Sequence, residues 1–108
     1  MAIHTYYMPY HSVRCGSFNW NPAKDRANQA KHGVSFEQAR FAFMDPRRVI
    51  ARDLSHSSQS EVRFFCFGKV DSAILTVRFT YRGAVIRIFG AGYWRKGKRI
   101  YERENQIQ

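Results

Sequence analysis

The sequence predicts an α+β domain with two N-terminal helices, an antiparallel β-sheet of about four strands and a C-terminal helix. Three observations predict it. Residues 21–46 carry stop and start signals for two short helices. Residues 61–91 form apolar runs parted by turns as short as Asp71-Ser72 and Arg82-Gly83, and strands joined so tightly must pair antiparallel. Residues 93–103 return to a basic, helix-compatible stretch. Helices are expected to pack on one face of the sheet.

At 108 residues the chain is one domain's worth. With 44% hydrophobic and 16% aromatic residues it can build a core, which separates it from disordered chains of high net charge. Residues 1–17 are rich in Tyr and His, carry Pro9 and Gly16, and show no periodicity. They read as a loosely ordered arm ahead of a single domain at 18–108, with a short strand around Phe18-Asn19-Trp20. Asn21 suits a helix N-cap, and Pro22 suits the first helical position, where its missing N–H costs nothing. Ala23, Ala27 and Ala30 share a small-residue face, and Gly33 is placed to end this helix after His32. Ser35 and Gln38 have capping-box spacing, and Phe36, Ala39 and Phe43 form a stripe that Asp45-Pro46 terminates. Arg48–Arg52 is a candidate strand and Asp53–Ser60 a polar loop. Strands follow at Glu61–Gly68, Ala73–Tyr81 and Ala84–Ala91. On the middle one, Leu75, Val77, Phe79 and Tyr81 face one way; on the last, Ile86 and Ile88 oppose Val85, Arg87 and Phe89. The closing helix, about Tyr93 to Arg103, would turn Trp94, Gly97 and Tyr101 inward. Trp20 reads as core.

The charge is the main functional signal. Lys and Arg number 18 against 8 Asp and Glu, a formal net of +10. Thirteen of the basic residues lie in 46–108. Such an imbalance repels itself unless a polyanion relieves it, and nucleic acid is the commonest one. A membrane surface needs a wide apolar face on the basic helix, and Trp94, Gly97 and Tyr101 provide little. Two cysteines, Cys15 and Cys66, fit a reducing compartment rather than a disulfide scaffold. Neither a secretory signal nor an apolar run of roughly 20 residues is present, so a cytoplasmic location is expected.

There is no Cys/His zinc spacing, no Gly-rich phosphate loop and no carboxylate pair spaced for Mg²⁺. Phosphodiester cleavage would then have to run without metal. RNA permits this, because its 2′-hydroxyl is the nucleophile. The protein must supply a base, an acid, and cations for the charge on phosphorus. His56, Glu61 and Arg63 fall within eight residues at a loop–strand junction and are the richest candidates. Glu61 and Arg63 equally suit a surface ion pair. Arg87, among apolar neighbours, is either a buried partner of Glu61 or a phosphate ligand. Arg95, Lys96, Lys98 and Arg99, beside Tyr93 and Trp94, resemble an RNA footprint of cations and stacking rings. His32, beside Gly33, reads as structural.

The ordered series from Trp20-Asn-Pro22-Ala-Lys24 through Lys31-His32-Gly33, Phe36, Asp45-Pro46, His56-Ser57, Glu61, Arg63 and Arg87-Ile88 to Tyr101-Glu102 resembles the BrnT-type toxins. The resemblance covers about residues 18–103. It implies a RelE-like fold and a ribonuclease that inhibits translation without a cofactor. It also implies a BrnA-like antitoxin whose ribbon-helix-helix domain binds operator DNA, which the toxin reaches only through that complex. Its motif positions fall here on Lys31, His32, His56, Glu61, Arg63, Arg87 and Tyr101, with Tyr101 joining the expected RNA-binding set. The sequence departs from the family pattern in three places. Gly90-Ala91-Gly92 stands where the family runs Ser-Ala-Arg. Tyr93-Trp94-Arg95-Lys96-Gly97 replaces an Arg/Thr-rich helix start, and Asn21 replaces Asp. The missing Arg at 92 leaves two readings: an active endoribonuclease, or a catalytically degenerate module that binds RNA or antitoxin.

Overall fold

A computed structural model describes residues 5–6 and 18–106 of the chain. In chain order the elements are β1 (Thr5–Tyr6), β2 (Phe18–Trp20), α1 (Pro22–His32), α2 (Phe36–Ala39) running into a 3-10 turn (Arg40–Met44), β3 (Val49–Arg52), β4 (Arg63–Val70), β5 (Ala73–Arg82), β6 (Val85–Gly92) and α3 (Arg95–Glu104). One sheet holds all six strands in the order β1-β3-β4-β5-β6-β2. The α+β class is as the sequence predicts, but the sheet is mixed: β2 runs parallel to β6, with Asn19 opposite Arg87. Within the expected arm, Thr5 and Tyr6 pair with Ala51 and Ile50 of β3. The remaining residues of 1–17, Cys15 among them, lie outside those described.

The helices occupy both faces, not the single face expected. Ile50, Cys66, Leu75, Val77, Phe79, Ile86 and Ile88 form one core with Val34, Phe36, Ala39 and Phe43 of the α2 region. Val49, Ala51, Phe67 and Ile74 point the other way and pack on Ile100 and Tyr101 of α3. The reason is period-two alternation: Leu75 and Val77 face α2, so Ile74 and Thr76 need a second cover. In α3 the buried residues are Gly97, Ile100 and Tyr101, while Trp94 is the exposed N-cap. Gly97, a poor helix former, is what lets α3 settle on the sheet. A Cβ there would lie 2.0 Å from Thr76 Oγ1.

The caps of α1 form as predicted: Asn21 Oδ1 accepts from Ala23 N and Lys24 N, and Gly33 takes the left-handed conformation. Its alanines, however, are exposed, and Asn28 is its one buried residue. Asn28 acts as a substitute strand at the edge of β6. Its Nδ2 donates to Ala91 O and Val34 O, both at 2.9 Å, and its Oδ1 accepts from Ala91 N. Asn28→Ala should lower stability by about 2–3 kcal/mol, because Ala91 N–H and C=O would be left buried without partners. A denaturant midpoint unchanged from wild type would refute this account. Ser35 caps α2 through Gln38 N, but the capping box is only half formed, because Gln38 Nε2 turns to Asp71 and Tyr93.

β6 carries a bulge opposite the Arg78/Phe79 step. Phe89 is the extra residue, since Arg78 pairs with Gly90 and Phe79 with Ile88. An extra residue reverses the alternation. Ile86 and Ile88 therefore face the α2 core before the bulge and Ala91 faces it afterwards, leaving Gly90 and Gly92 on the α3 side.

Candidate active site

The site follows from register on the α3 face of the sheet. Arg63 of β4 and Arg87 of β6 both pair with Thr80 of β5, so the two arginines flank one residue and project on the same side. Arg78 and Arg82 lie two residues either way along β5 and share that side. Because α3 covers only the end around Ile74 and Thr76, Arg63, Arg78, Arg87 and Phe89 stay half-buried and Arg82 stays exposed. Among the described residues nothing covers this end of the sheet face, and its arginines form a cationic platform.

Glu61 organises it. One carboxylate oxygen accepts from Arg63 Nε at 3.3 Å, with Arg63 Nη2 at 3.2 Å. The other accepts from Arg82 Nε and Nη2 at 3.3 and 3.1 Å. The Arg63 guanidinium also lies 4.1 Å over the Phe89 ring, with Lys24 Nζ at 5.5 Å and the Arg82 guanidinium at 5.9 Å. Ring face and carboxylate together hold Arg63 in one orientation with little rotamer freedom left. Arg87 does not reach Glu61. Its Nη1 donates to Asn19 Oδ1 at 3.2 Å across the β2–β6 pair.

Burial pulls the Glu61 carboxyl upward, but hydrogen bonds and charge from Arg82 and Arg63 outweigh it and leave the pKa below its ordinary 4.5. A carboxylate lowered in this way stabilises the fold above pH 4.5, and that contribution is lost as pH falls through the lowered native value. The stability gap between wild type and Glu61→Gln should thus be present at pH 7 and shrink toward zero in strong acid. A gap that is constant with pH, read from denaturant midpoints, would contradict it.

His56 sits in the loop before β4, and no hydrogen bond joins its side chain to Glu61, Arg63 or Arg87 among the described residues. Its Nδ1 donates to Asp53 Oδ2 at 2.8 Å. Asp53 is buried and also accepts from Ser55 Oγ and His56 N. Among the described residues this leaves Nε2 without a hydrogen-bond partner, and the His56 side chain is 53% exposed. The loop is sewn to the platform by its backbone: Asp53 N donates to Arg63 O, and Ser57 Oγ accepts from Arg63 N at 2.8 Å. Asp53, Arg82, Phe89 and Lys24 are members of the site that sequence reasoning missed. The available signal was the alternation Arg78-x-Thr80-x-Arg82, which puts Arg82 on the face of Arg63 once the register is known.

The basic run on α3 is split up. Arg95 and Lys98 line a cleft of about 660 Å³ with Asp45, Lys69, Ile74 and Tyr93, at the far end of β5, about 20 Å from Thr80 at ~3.3 Å per residue. Lys96 lines a separate apolar hollow with Phe65 and Trp94, and Arg99 is exposed. Tyr101, expected among the RNA-binding residues, is buried, and its hydroxyl donates to Asp45 Oδ2 at 2.6 Å. It anchors α3 to the turn before β3. Lys31 and His32 are exposed at the end of α1, with the His32 ring edge-on to Trp94 at 5.2 Å. Cys66 is buried and free, and burial pushes its thiol pKa far up.

A family model described as the ribonuclease toxin BrnT of type II toxin-antitoxin systems matches residues 20–97. The chain belongs to the BrnT family. Comparison with curated proteins gives no match. As a BrnT toxin the chain is a member of a ribonuclease family, and a type II system pairs its toxin with a protein antitoxin. The match spans the whole platform, from Lys24 to Phe89, together with His56 and Trp94. It ends at Gly97, so Lys98, Arg99 and Tyr101 lie beyond it. Among the described residues no helix is long and apolar enough to cross a membrane.

Proposed function

We propose that this BrnT toxin is an endoribonuclease in which the RNA's own 2′-hydroxyl attacks the adjacent phosphate, with protein side chains alone assisting. The observation that carries this reading is the Arg63–Glu61–Arg82 bridge, with the Arg63 guanidinium over the Phe89 ring and Arg87 on the same row of the sheet. Guanidinium groups fixed in advance stabilise charge that develops on a phosphorane without reorganising at the moment of reaction. Arg63 and Arg87 would hold the phosphate, and Arg78 and Arg82 would add to the field.

Two observations support a division of the proton work. Glu61 is engaged on both oxygens and its basicity is lowered, so its role is to orient Arg63 and Arg82. His56, with Nδ1 on Asp53 and Nε2 free, is the group suited to take or give a proton. Asp53 sets the tautomer. Flanking RNA would run toward Lys96 and Arg99, with Arg95 and Lys98 reached only by a longer strand. Cutting of cellular RNA would inhibit translation. The cognate partner would be a BrnA-like antitoxin that brings operator DNA through its own ribbon-helix-helix domain.

Purified protein should cut RNA in the presence of EDTA and leave 2′,3′-cyclic phosphate ends. Cleavage that appears only on adding Mg²⁺ would overturn the mechanism. Expression of the chain alone should arrest growth; harmless expression of a folded protein would favour the non-catalytic binding module. Asp53→Asn should lower the rate of cleavage while leaving RNA binding intact, since the amide no longer fixes the His56 ring with Nδ1 as its donor. A cleavage rate identical to wild type would remove the pair from the reaction.

A further inference from the structure

Trp94 is an exposed aromatic residue whose position is closely specified. It stands just after Gly92, where a Cβ would lie 2.5–3.0 Å from three atoms of the indole. The indole therefore lies against the backbone of β6 in space that any side chain at 92 would take. On another side the His32 ring meets it edge-on. Trp94 is one wall of a hollow of about 260 Å³, whose lining also includes Phe65, Phe67, Thr76 and Lys96. Phe65 and Phe67 stack at 5.7 Å with 25° between their planes. Thr76 is buried beneath Gly97, so the surface that the hollow presents is almost wholly apolar.

The hollow adjoins the cationic platform. Phe65 is two residues from Arg63 on the same side of β4, about 7 Å along the strand, and Arg78 pairs with Phe65 across β5. Lys96 stands at its rim. Flat aromatic walls, one cation and a neighbouring row of arginines match a single-stranded nucleic acid, in which a base stacks while its phosphates meet cations. A membrane-inserting or protein-core surface would not need the arginines. The hollow is also smaller than the clefts that take drug-sized ligands.

We infer that the hollow between Trp94 and Phe65 is a base-stacking slot that holds one unpaired nucleobase of the RNA beside the phosphate held by Arg63. This rests on the ribonuclease reading above and adds a site that reading does not need. It also gives the Gly92 departure a positive role: loss of the side chain there admits the indole.

The test uses the full chain with two probes, a short 2′-O-methyl oligoadenylate, which cannot be cut, and a length-matched abasic oligomer with the same phosphates. Binding is measured by fluorescence anisotropy across a salt series. Wild type should bind oligoadenylate about 10-fold or more tighter than the abasic oligomer, in the range expected for loss of one stacked base. Trp94→Ala should remove that advantage while leaving the salt slope unchanged, since no phosphate contact is lost. Trp94→Phe should restore most of it, and Gly92→Ala, which displaces the indole, should weaken oligoadenylate as Trp94→Ala does. Equal binding of the two oligomers by wild type, or an unaffected Trp94→Ala variant, overturns the slot alone if the binding is still steeply salt-dependent. Loss of antitoxin binding in Trp94→Ala with unchanged RNA binding would assign the hollow to the protein partner and likewise overturn it. If wild type binds neither oligomer even at low salt, the ribonuclease reading falls together with the slot.

Discussion

Arg63→Ala should reduce RNA cleavage by about 10²–10³-fold, the usual effect of deleting one prearranged donor to a developing oxyanion. On the proposed mechanism the loss should appear mainly in kcat, because the remaining arginines would still attract RNA to the platform. The fold should persist, since Arg63 is only half-buried and its removal leaves Glu61 paired with Arg82. Two comparisons make the result specific. Arg63→Lys keeps the charge but cannot lie flat on Phe89 while forking to phosphate, so it should recover little activity. Phe89→Leu keeps the charge and loses the ring beneath the guanidinium, and should lower activity less than Arg63→Ala does. In cells, the same Arg63→Ala change should relieve growth arrest. Single-turnover rates within a few-fold of wild type would show that Arg63 is part of an ordinary ion pair and nothing more.

Gly68→Ala should be the most damaging single-methyl change in the chain, costing about 3 kcal/mol. Gly68 lies on β4 beneath the 3-10 turn, and a Cβ there would stand 2.1 Å from Ala42 O and 2.8 Å from both Ala42 C and Cα. All three are backbone atoms, so no side chain can rotate away. The whole Arg40–Met44 turn would have to lift, carrying Ala42 and Phe43 out of the core they share with Phe79. Overpacking by one methyl usually costs 1–3 kcal/mol, and this position belongs at the top of that range. Gly97→Ala is the natural comparison. Its nearest contacts are the Thr76 hydroxyl and the Phe67 ring edge, and alanine improves helix propensity by about 1 kcal/mol, so its net cost should be smaller. Urea midpoints for the two variants check the order; a Gly68→Ala protein as stable as wild type would mean that the turn does not press on β4.

The local features were legible in the chain itself. Asn21, Pro22 and Gly33 bound α1 because capping is satisfied within a few residues. The β5 face of Leu75, Val77 and Phe79 was visible because alternation needs only one strand. The basic excess is a property of composition alone, and the ordered motif residues by themselves mark the BrnT family. His56, Glu61 and Arg63 could be singled out as candidates because they are close in sequence.

Tertiary structure decided what depends on registry between strands, which no single strand records. It joined Arg82 to Glu61 over 21 residues and gave Arg87 to Asn19 instead. It turned His56 toward Asp53, and it made the expected RNA contact Tyr101 a buried anchor. It also placed one extra residue, Phe89, at a bulge. That residue reverses the facing of β6, which puts a ring under Arg63 and two glycines on the α3 side, and Gly92 leaves the room that Trp94 fills. Short-range hydrogen bonds and periodicity are properties of the neighbouring residues in the chain; a charged platform assembled from three strands and a loop exists only when their pairing offsets are fixed by the core.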